Sequence, residues 1–309
     1  MNSKSSLAGN SLRIPQLRPQ QHCDAPSADP AQLQAWLQQH ARVLVLTGAG
    51  CSTASGIPAY RDHSGSWQRR DPIMYQDFMR AGSSRRRYWA RSFLGWPVLQ
   101  QARPNAAHHA LARLAADKRL GPLITQNVDG LHQLAGHDQV INLHGSLSSV
   151  RCLQCGAISP RQQLQQRLTA MNNDWQARLL GINPDGDAEL DVRAYPGFRV
   201  ADCIDCGGML KPDVVFFGES VPAQRIAAIN QAISDCDAIL SIGTSLVVWS
   251  GYRIVRDVVA QGKPAVAINQ GRTRADALLQ FKLHADCSQV LSAIMPASEQ
   301  AGTIRRSAG

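Results

Sequence analysis

Two Cys-x-x-Cys pairs, Cys152/Cys155 and Cys203/Cys206, have the spacing in this chain that points most directly to chemistry. A glycine follows each pair, so each makes a tight knuckle that turns two thiols to one side. Two knuckles supply four sulfurs, the closed tetrahedral set that zinc takes in structural sites. Four thiolates leave no position for water or substrate, so the expected metal is one structural Zn2+ and not a Lewis acid. A redox Cys-x-x-Cys sits singly at a helix start in a thioredoxin-like unit, unlike this arrangement. Read alone, the four could equally belong to a zinc ribbon that binds nucleic acid.

A second constellation points to a nucleotide. Gly48-Ala49-Gly50 follows the apolar run Val43–Thr47, as where a strand feeds a phosphate-binding loop. Position 53 is Thr, and the loop continues to Gly56-Ile-Pro-Ala-Tyr60-Arg61, longer than a dehydrogenase loop and carrying an arginine for phosphate or ribose. This is a nucleotide site of another kind than a hydride-transfer one. Gln126, Asn127, Val128 and Asp129 follow a second strand and bring amides and a carboxylate suited to ribose hydroxyls and a carboxamide. The other reading is a loop that caps its own backbone. His144 ends a further strand beside Gly145 and is a natural general base, or else a hydrogen-bonded structural residue. The remaining eight histidines, including His108-His109, are expected to be solvent-exposed.

The elements that must position these groups alternate. Strand-length runs at Val43–Thr47, Leu123–Thr125, Val140–Leu143, Val214–Phe217, Ala238–Ile242 and Ala265–Asn269 are separated by helical patterns at Ala31–His40, Ala106–Ala116, Pro222–Cys236 and Tyr252–Gln261. The expected fold class is α/β, a Rossmann-like, mostly parallel sheet with a smaller zinc-binding domain inserted. Residues 31–295 read as the catalytic domain, with a helical excursion over 53–100 and a zinc-binding one over 151–212. The latter contains the turn signal Asn183-Pro-Asp-Gly186. Residues 1–30 and 296–309 read as tails.

Composition narrows the classes. Hydrophobic residues make up 44% of 309, enough for a large core and too many for a disordered chain. No apolar run approaches the ~20 residues that span a bilayer, so no membrane partner is expected. The net charge of +9 suits nucleic acid, acidic proteins or a phosphate-bearing cofactor alike. Residues 1–30 lack the apolar stretch of a signal peptide, although a presequence would share their composition.

Taken in order, Gly48-Ala-Gly-Cys-Ser52, Gly56-Ile-Pro-Ala-Tyr-Arg61, Thr125-Gln-Asn-Val-Asp129, Leu143-His-Gly145, the two cysteine pairs and Lys211-Pro-Asp-Val-Val-Phe-Phe-Gly-Glu219 resemble the sirtuins, NAD-dependent protein lysine deacylases. The runs Ser241–Arg253 and Tyr88–Pro97 are most similar to the class II branch. The resemblance implies that Gly48, Ala49, Gly50 and Ser52 border the NAD phosphates and ribose, with Tyr60 and Arg61 in the loop that closes over the cofactor. Gln126 and Asn127 would hold the nicotinamide ribose, and Val128 and Asp129 the nicotinamide. Gly243, Thr244, Ser245, Asn269, Gln270, Gly271 and Cys287 would hold the adenosine half. Val215, Phe216, Phe217, Gly218 and Glu219 would pair with the substrate peptide as an added strand.

The implied mechanism starts with attack of the acyl-lysine carbonyl oxygen on the ribose as nicotinamide leaves, giving an imidate. His144 then activates a ribose hydroxyl, and water releases lysine and O-acyl-ADP-ribose. His144 and Asn127 are thus the expected catalytic pair, and acyl-lysine proteins the partners. Ala59, Asp62 and Cys51 depart from the family pattern, Cys51 standing where an aliphatic residue is usual. Tyr88 and Arg91 have the Tyr-x-x-Arg spacing that class III members use for acidic acyl groups. They are therefore candidate substrate-binding residues, the other reading being a packed Tyr88 with a solvated Arg91. Two rivals stay open: protein mono-ADP-ribosylation on the same fold, and a zinc-ribbon nucleic-acid-binding protein. A monomer in the cytoplasm is expected, with the mitochondrial matrix as the alternative location.

Overall fold

The computed structural model describes residues 24–60, 72–183 and 187–295. In chain order the strands are β1 (Val43–Thr47), β2 (Leu123–Thr125), β3 (Val140–Asn142), β4 (Gly145–Cys152), β5 (Ile158–Pro160), β6 (Leu179–Ile182), β7 (Ala188–Leu190), β8 (Leu210–Val214), β9 (Ala238–Ile242), β10 (Ala265–Ile268) and β11 (Phe281–Leu283). The helices are α1 (Pro30–Gln39), α2 (Tyr75–Arg80), α3 (Gly82–Gln101), α4 (Ala106–Ala116), α5 (Leu131–Leu134), α6 (Arg161–Met171), α7 (Ala223–Asp235), α8 (Trp249–Ala260) and α9 (Cys287–Ala293).

The apolar runs build the main layer. All five positions of β1 are buried, as a parallel strand covered on both faces requires. Its alternation divides the core in two. Val43 and Val45 pack with Trp36 of α1, Leu111 of α4 and Leu291 of α9, while Leu44 and Leu46 pack with Ile233 of α7 and Val258 of α8. Helices therefore cover both faces of a sheet ordered β11-β10-β9-β1-β2-β3, in which every neighbouring pair is parallel. The strand order reverses between β1 and β9. The carboxyl ends of strands at such a reversal are where open α/β sheets bind ligands. Thr47 pairs with Ile242, so Gly48 and Gly243 leave the sheet side by side at that end.

A second, antiparallel sheet of β5-β4-β8 and the β6-β7 pair lie outside this layer. Trp89 of α3, Leu164 and Leu168 of α6, Leu190 of β7 and Phe198 share one further core, so α3 packs with the stretch 151–212. The turn signal at 183–186 falls between β6 and β7, with residues 184–186 outside those described.

Two expectations are corrected. The strand expected over Val214–Phe217 ends at Val214. Beyond it Val215 N–H donates to His144 O at 2.7 Å and Phe216 N–H to the Glu219 carboxylate at 2.8 Å, so the chain turns out of the sheet. Residues 24–29, expected in a tail, lie along edge strand β11: Ser27 bridges Lys282, and Lys282 N–H donates to Pro26 O at 2.8 Å. An edge strand has an unpaired row of N–H and C=O groups, which this segment satisfies. Residues 1–23 and 296–309, the rest of the expected tails, lie outside the described residues.

Candidate active site

At the reversal point the sheet opens into a cleft of about 410 Å³. Its floor is made by two glycine turns in backbone contact. A Cβ at Gly50 would lie 2.9 Å from Gly243 Cα, and one at Gly243, held at φ +59°, would run into the backbone of Gly50 and Cys51. Only glycine allows this approach, and it leaves backbone rather than side chains facing the cleft. Gly48, Ala49, Gly50, Ser52, Gly243, Thr244 and Ser245 line this end, joined by Asn269, Gln270, Gly271 and Cys287. Cys287 opens α9, and its thiol donates to Gly50 O at 3.4 Å, tying that helix to the first turn. Tyr60 also lines the cleft; Arg61 lies outside the described residues.

The loop after β2 brings its polar groups to the same floor. Gln126 Nε2 donates to Thr244 Oγ1 at 2.9 Å. Asn127 Nδ2 donates to Ser52 Oγ at 3.0 Å, and Ser52 donates to Asp129 Oδ2 at 2.7 Å. Burial raises the Asp129 carboxyl above its ordinary value, while hydrogen bonds from Leu131 N–H and Ser52 oppose that rise. Val128 completes this wall.

His144 stands where β3 passes into β4, half-buried on the cleft wall. Its Nδ1 lies 3.0 Å from Gln126 O and its Nε2 2.8 Å from Ser250 Oγ. A carbonyl only accepts, so Nδ1 carries the proton and Nε2 keeps the lone pair a base needs. Burial pushes the imidazole down to about 4; the bond to Gln126 O works upward and the Arg225 charge downward. It is therefore neutral at pH 7.

The opposite wall is the segment Val215–Glu219. Buried Lys211 clamps it, with Nζ 3.0 Å from Glu219 Oε2 and 4.7 Å from the centre of the Phe216 ring. Phe216 packs against Phe78 and Tyr88, ring centres 5.2 and 5.1 Å away, so Tyr88 meets the cleft as part of an aromatic cluster. Arg91 does not accompany it. Its Nε donates to Ala188 O at 2.9 Å and its Nη2 lies 3.8 Å from Asp187, both charged groups being buried. With the Asn183 amide oxygen turned towards it, Nη2 also donates to that group at 2.8 Å. Neither the tunnel-facing nor the solvated Arg91 expected from the Tyr-x-x-Arg spacing is present: its charge is spent on Asp187, because burying an unpaired guanidinium would cost too much. Asp187 itself lies on the cleft wall.

The four cysteines of the knuckles come together at the ends of β4 and β8, away from the cleft. Their sulfurs all lie within 4.8 Å of one another, with Cys152–Cys206 at 3.5 Å and Cys155–Cys203 at 3.8 Å. Ligand sulfurs about 2.3 Å from a tetrahedral zinc stand roughly 3.8 Å apart, so the set fits the ion. The backbone N–H groups of Cys155 and Gln154 point at Cys152 Sγ and hold that thiol down to about 6. A Cβ at Gly208 would come within 2.9 Å of Cys152 Sγ, so glycine keeps the cradle open.

Three features escaped the sequence. Ser250, the partner of His144, sits inside the run Ser241–Arg253, where only its distance along the chain hid it. Asp187 follows a turn signal that gave no hint of a partner. His108, His132 and His137 are buried at 0, 1 and 3% exposure, against the expectation of solvent. The helical and turn contexts of these histidines carried no sign of which face would be covered.

Known proteins agree with this geometry. The Sir2 family model matches residues 48–250. A protein of Bradyrhizobium diazoefficiens named NAD-dependent protein deacetylase 2 is 51% identical over 272 residues, covering 88% of this chain and 99% of its own. NAD-dependent protein deacetylase 1 of Streptomyces coelicolor is 50% identical over 236 residues, 76% of this chain and 79% of that one. Among solved structures, one described as Sir2 with a p53 peptide and NAD+ superposes with a TM-score of 0.71 at 26% identity, covering 90% of this chain and all of the other. The chain belongs to the Sir2 family, the sirtuins.

Proposed function

We propose that the protein is an NAD-dependent protein lysine deacetylase. The observation that carries this reading is the convergence of two glycine turns, the Gln126–Asp129 loop and a neutral, oriented His144 in one cleft at the sheet's reversal point. Relatives about 50% identical bear the name NAD-dependent protein deacetylase, which accords with it.

When bound, NAD supplies the ribose that accepts the acyl group and nicotinamide as the leaving group. In the proposed assignment, the backbone at Gly48, Ala49 and Gly50 faces the phosphates, with Ser52, Tyr60 and Arg61 beside them. Gly243, Thr244, Ser245, Asn269, Gln270, Gly271 and Cys287 hold the adenosine half. Gln126 and Asn127 orient the nicotinamide ribose, and Asp129, fixed by Ser52, meets the carboxamide beside Val128. His144 Nε2, which keeps its lone pair, would take a proton from a ribose hydroxyl of bound NAD. Val215, Phe216, Phe217, Gly218 and Glu219 hold the substrate backbone. One Zn2+ on Cys152, Cys155, Cys203 and Cys206 pins β4 to β8 and takes no part in the chemistry.

The acyl group is proposed to be uncharged. The cleft beside Tyr88 and Phe216 is aromatic, and Arg91, whose spacing from Tyr88 suits an acidic acyl group, is bound to Asp187 instead. Class II membership rests on the runs Tyr88–Pro97 and Ser241–Arg253. A monomeric state and a cytoplasmic location complete the proposal, the latter drawing on bacterial relatives; among the described residues no helix is long and apolar enough to cross a membrane.

The test is incubation with NAD and acetyl-lysine or succinyl-lysine peptides, reading nicotinamide and peptide mass. Loss of the acetyl mass with multiple-turnover nicotinamide release is expected, and His144→Tyr, blocked after nicotinamide leaves, should lose both. A gain of ADP-ribose mass on the peptide would show transferase chemistry instead, and equal multiple-turnover nicotinamide release by the variant would overturn the role of His144.

A further inference from the structure

Beneath the first glycine turn lies a cluster that the deacetylase reading does not use. The thiol of Cys51 and one ring nitrogen each of His108 and His132 lie within 4.8 Å of one another, all three residues at 0–1% exposure. Cys51 ends the Ala49–Cys51 turn, His108 lies in α4 and His132 in α5, so three separate elements aim donor atoms at one point. The two rings stand 4.7 Å apart.

Among the described residues, each ring also has one buried nitrogen without a partner, His108 Nε2 and His132 Nδ1. The other nitrogen of each ring is engaged. Thr47 donates to Thr125 at 2.9 Å, so its oxygen accepts from His132 Nε2–H at 2.9 Å, which leaves Nδ1 with its lone pair. Asn105 N–H reaches His108 Nδ1 at 3.3 Å. A buried polar atom left unsatisfied costs on the order of 1–3 kcal/mol, and here two occur on rings grouped with a buried thiol.

We propose that Cys51, His108 and His132 form a second metal site that takes one cuprous ion. Ligand softness favours this choice, since a thiolate and two imidazoles suit a soft monovalent d10 cation. For these three donors charge points the same way: Cu+ with one thiolate and two neutral imidazoles is neutral, whereas Zn2+ held by the three alone would leave a net charge in a dry core. Burial keeps both rings in the neutral form that binds metals. Binding replaces the Cys51 S–H bond by S–Cu and releases that proton. Coordination through His108 Nε2 moves its ring proton to Nδ1 and gives up the long bond from Asn105. Trigonal ligand atoms stand about 3.5–3.7 Å apart, so the three groups, now within 4.8 Å of one another, close in by about 1 Å at most. Thr47, which fixes the His132 tautomer, acts as its orienting partner. Gly50 and Ser52, on either side of Cys51, line the cleft.

The experiment titrates zinc-loaded protein anaerobically with cuprous ion against a chromophoric Cu(I) chelator, reading copper and zinc per chain. Wild type is expected to hold one copper with its zinc retained, and Cys51→Val to lose at least 100-fold in copper affinity while keeping the same melting temperature. X-ray absorption on copper-loaded wild type, which needs no variant, should show one sulfur and two nitrogen neighbours. Copper uptake matched by zinc release, uptake unchanged in Cys51→Val, an all-sulfur copper environment, or two zinc ions per chain as isolated would each overturn the proposal.

Discussion

His144 Nε2 lies 2.8 Å from Ser250 Oγ while its Nδ1 faces Gln126 O at 3.0 Å, so two elements distant in sequence fix one imidazole in one tautomer. The Ser250 hydroxyl donates to the lone pair that the proposed reaction uses, and so favours the neutral ring. Ser250→Ala should lower kcat/KM by about 2- to 12-fold, the loss of one such bond. It should also move the acid limb of the pH profile upward, towards the ordinary histidine range. Ser250→Thr should restore both. An unchanged acid limb in Ser250→Ala would show that the hydroxyl only packs there.

The buried pair Arg91–Asp187 leads to a prediction on selectivity and stability together. Arg91→Ala removes the buried cation that faces Asp187, a loss of about 3–5 kcal/mol in urea unfolding. The ratio of desuccinylation to deacetylation should not fall, because the guanidinium does not reach the cleft. A selective loss of desuccinylation in the folded variant would return Arg91 to the substrate site.

Zinc removal should act through the fold. Chelation is expected to lower the melting temperature and abolish activity together, with recovery on adding zinc. Cys203→Ser should reproduce the chelated protein. Full activity in metal-free protein would refute a structural role for the ion.

Acid should destabilise the protein earlier than carboxylates alone would. Burial holds His108 and His144 at about 4 and lowers His132 and His137 as well. Between the unfolded value near ~6.5 and these lower ones, the unfolded chain binds more protons, so stability falls as pH drops through that window. Each such histidine contributes up to about 1.4 kcal/mol per pH unit there. Asp129, raised by burial, opposes them singly. Urea unfolding of zinc-loaded protein at pH 7.5, 6 and 5 checks this, and equal stability at the three would refute it.

Much of the site was legible in the sequence because its chemistry depends on local order. The four cysteines declare their knuckles by spacing, and Gly48-Ala-Gly50 declares its turn by following an apolar run. The Gln126–Asp129 loop and His144 are marked by the strands that precede them, since a parallel sheet puts all such strand ends on one rim. The parallel sheet itself followed from continuous apolar runs alternating with helical ones, a pattern that burial on both faces imposes residue by residue. What the sequence could not determine were pairings across long separations. Ser250 meets His144 across 106 positions, Arg91 meets Asp187 rather than an acyl group, and residues 24–29 close the β11 edge. His108 and His132 turn inward to face Cys51. Each of these depends on which helix covers which face and on where a buried charge or ring nitrogen finds its nearest partner. Packing in three dimensions decides that, and no local pattern encodes it.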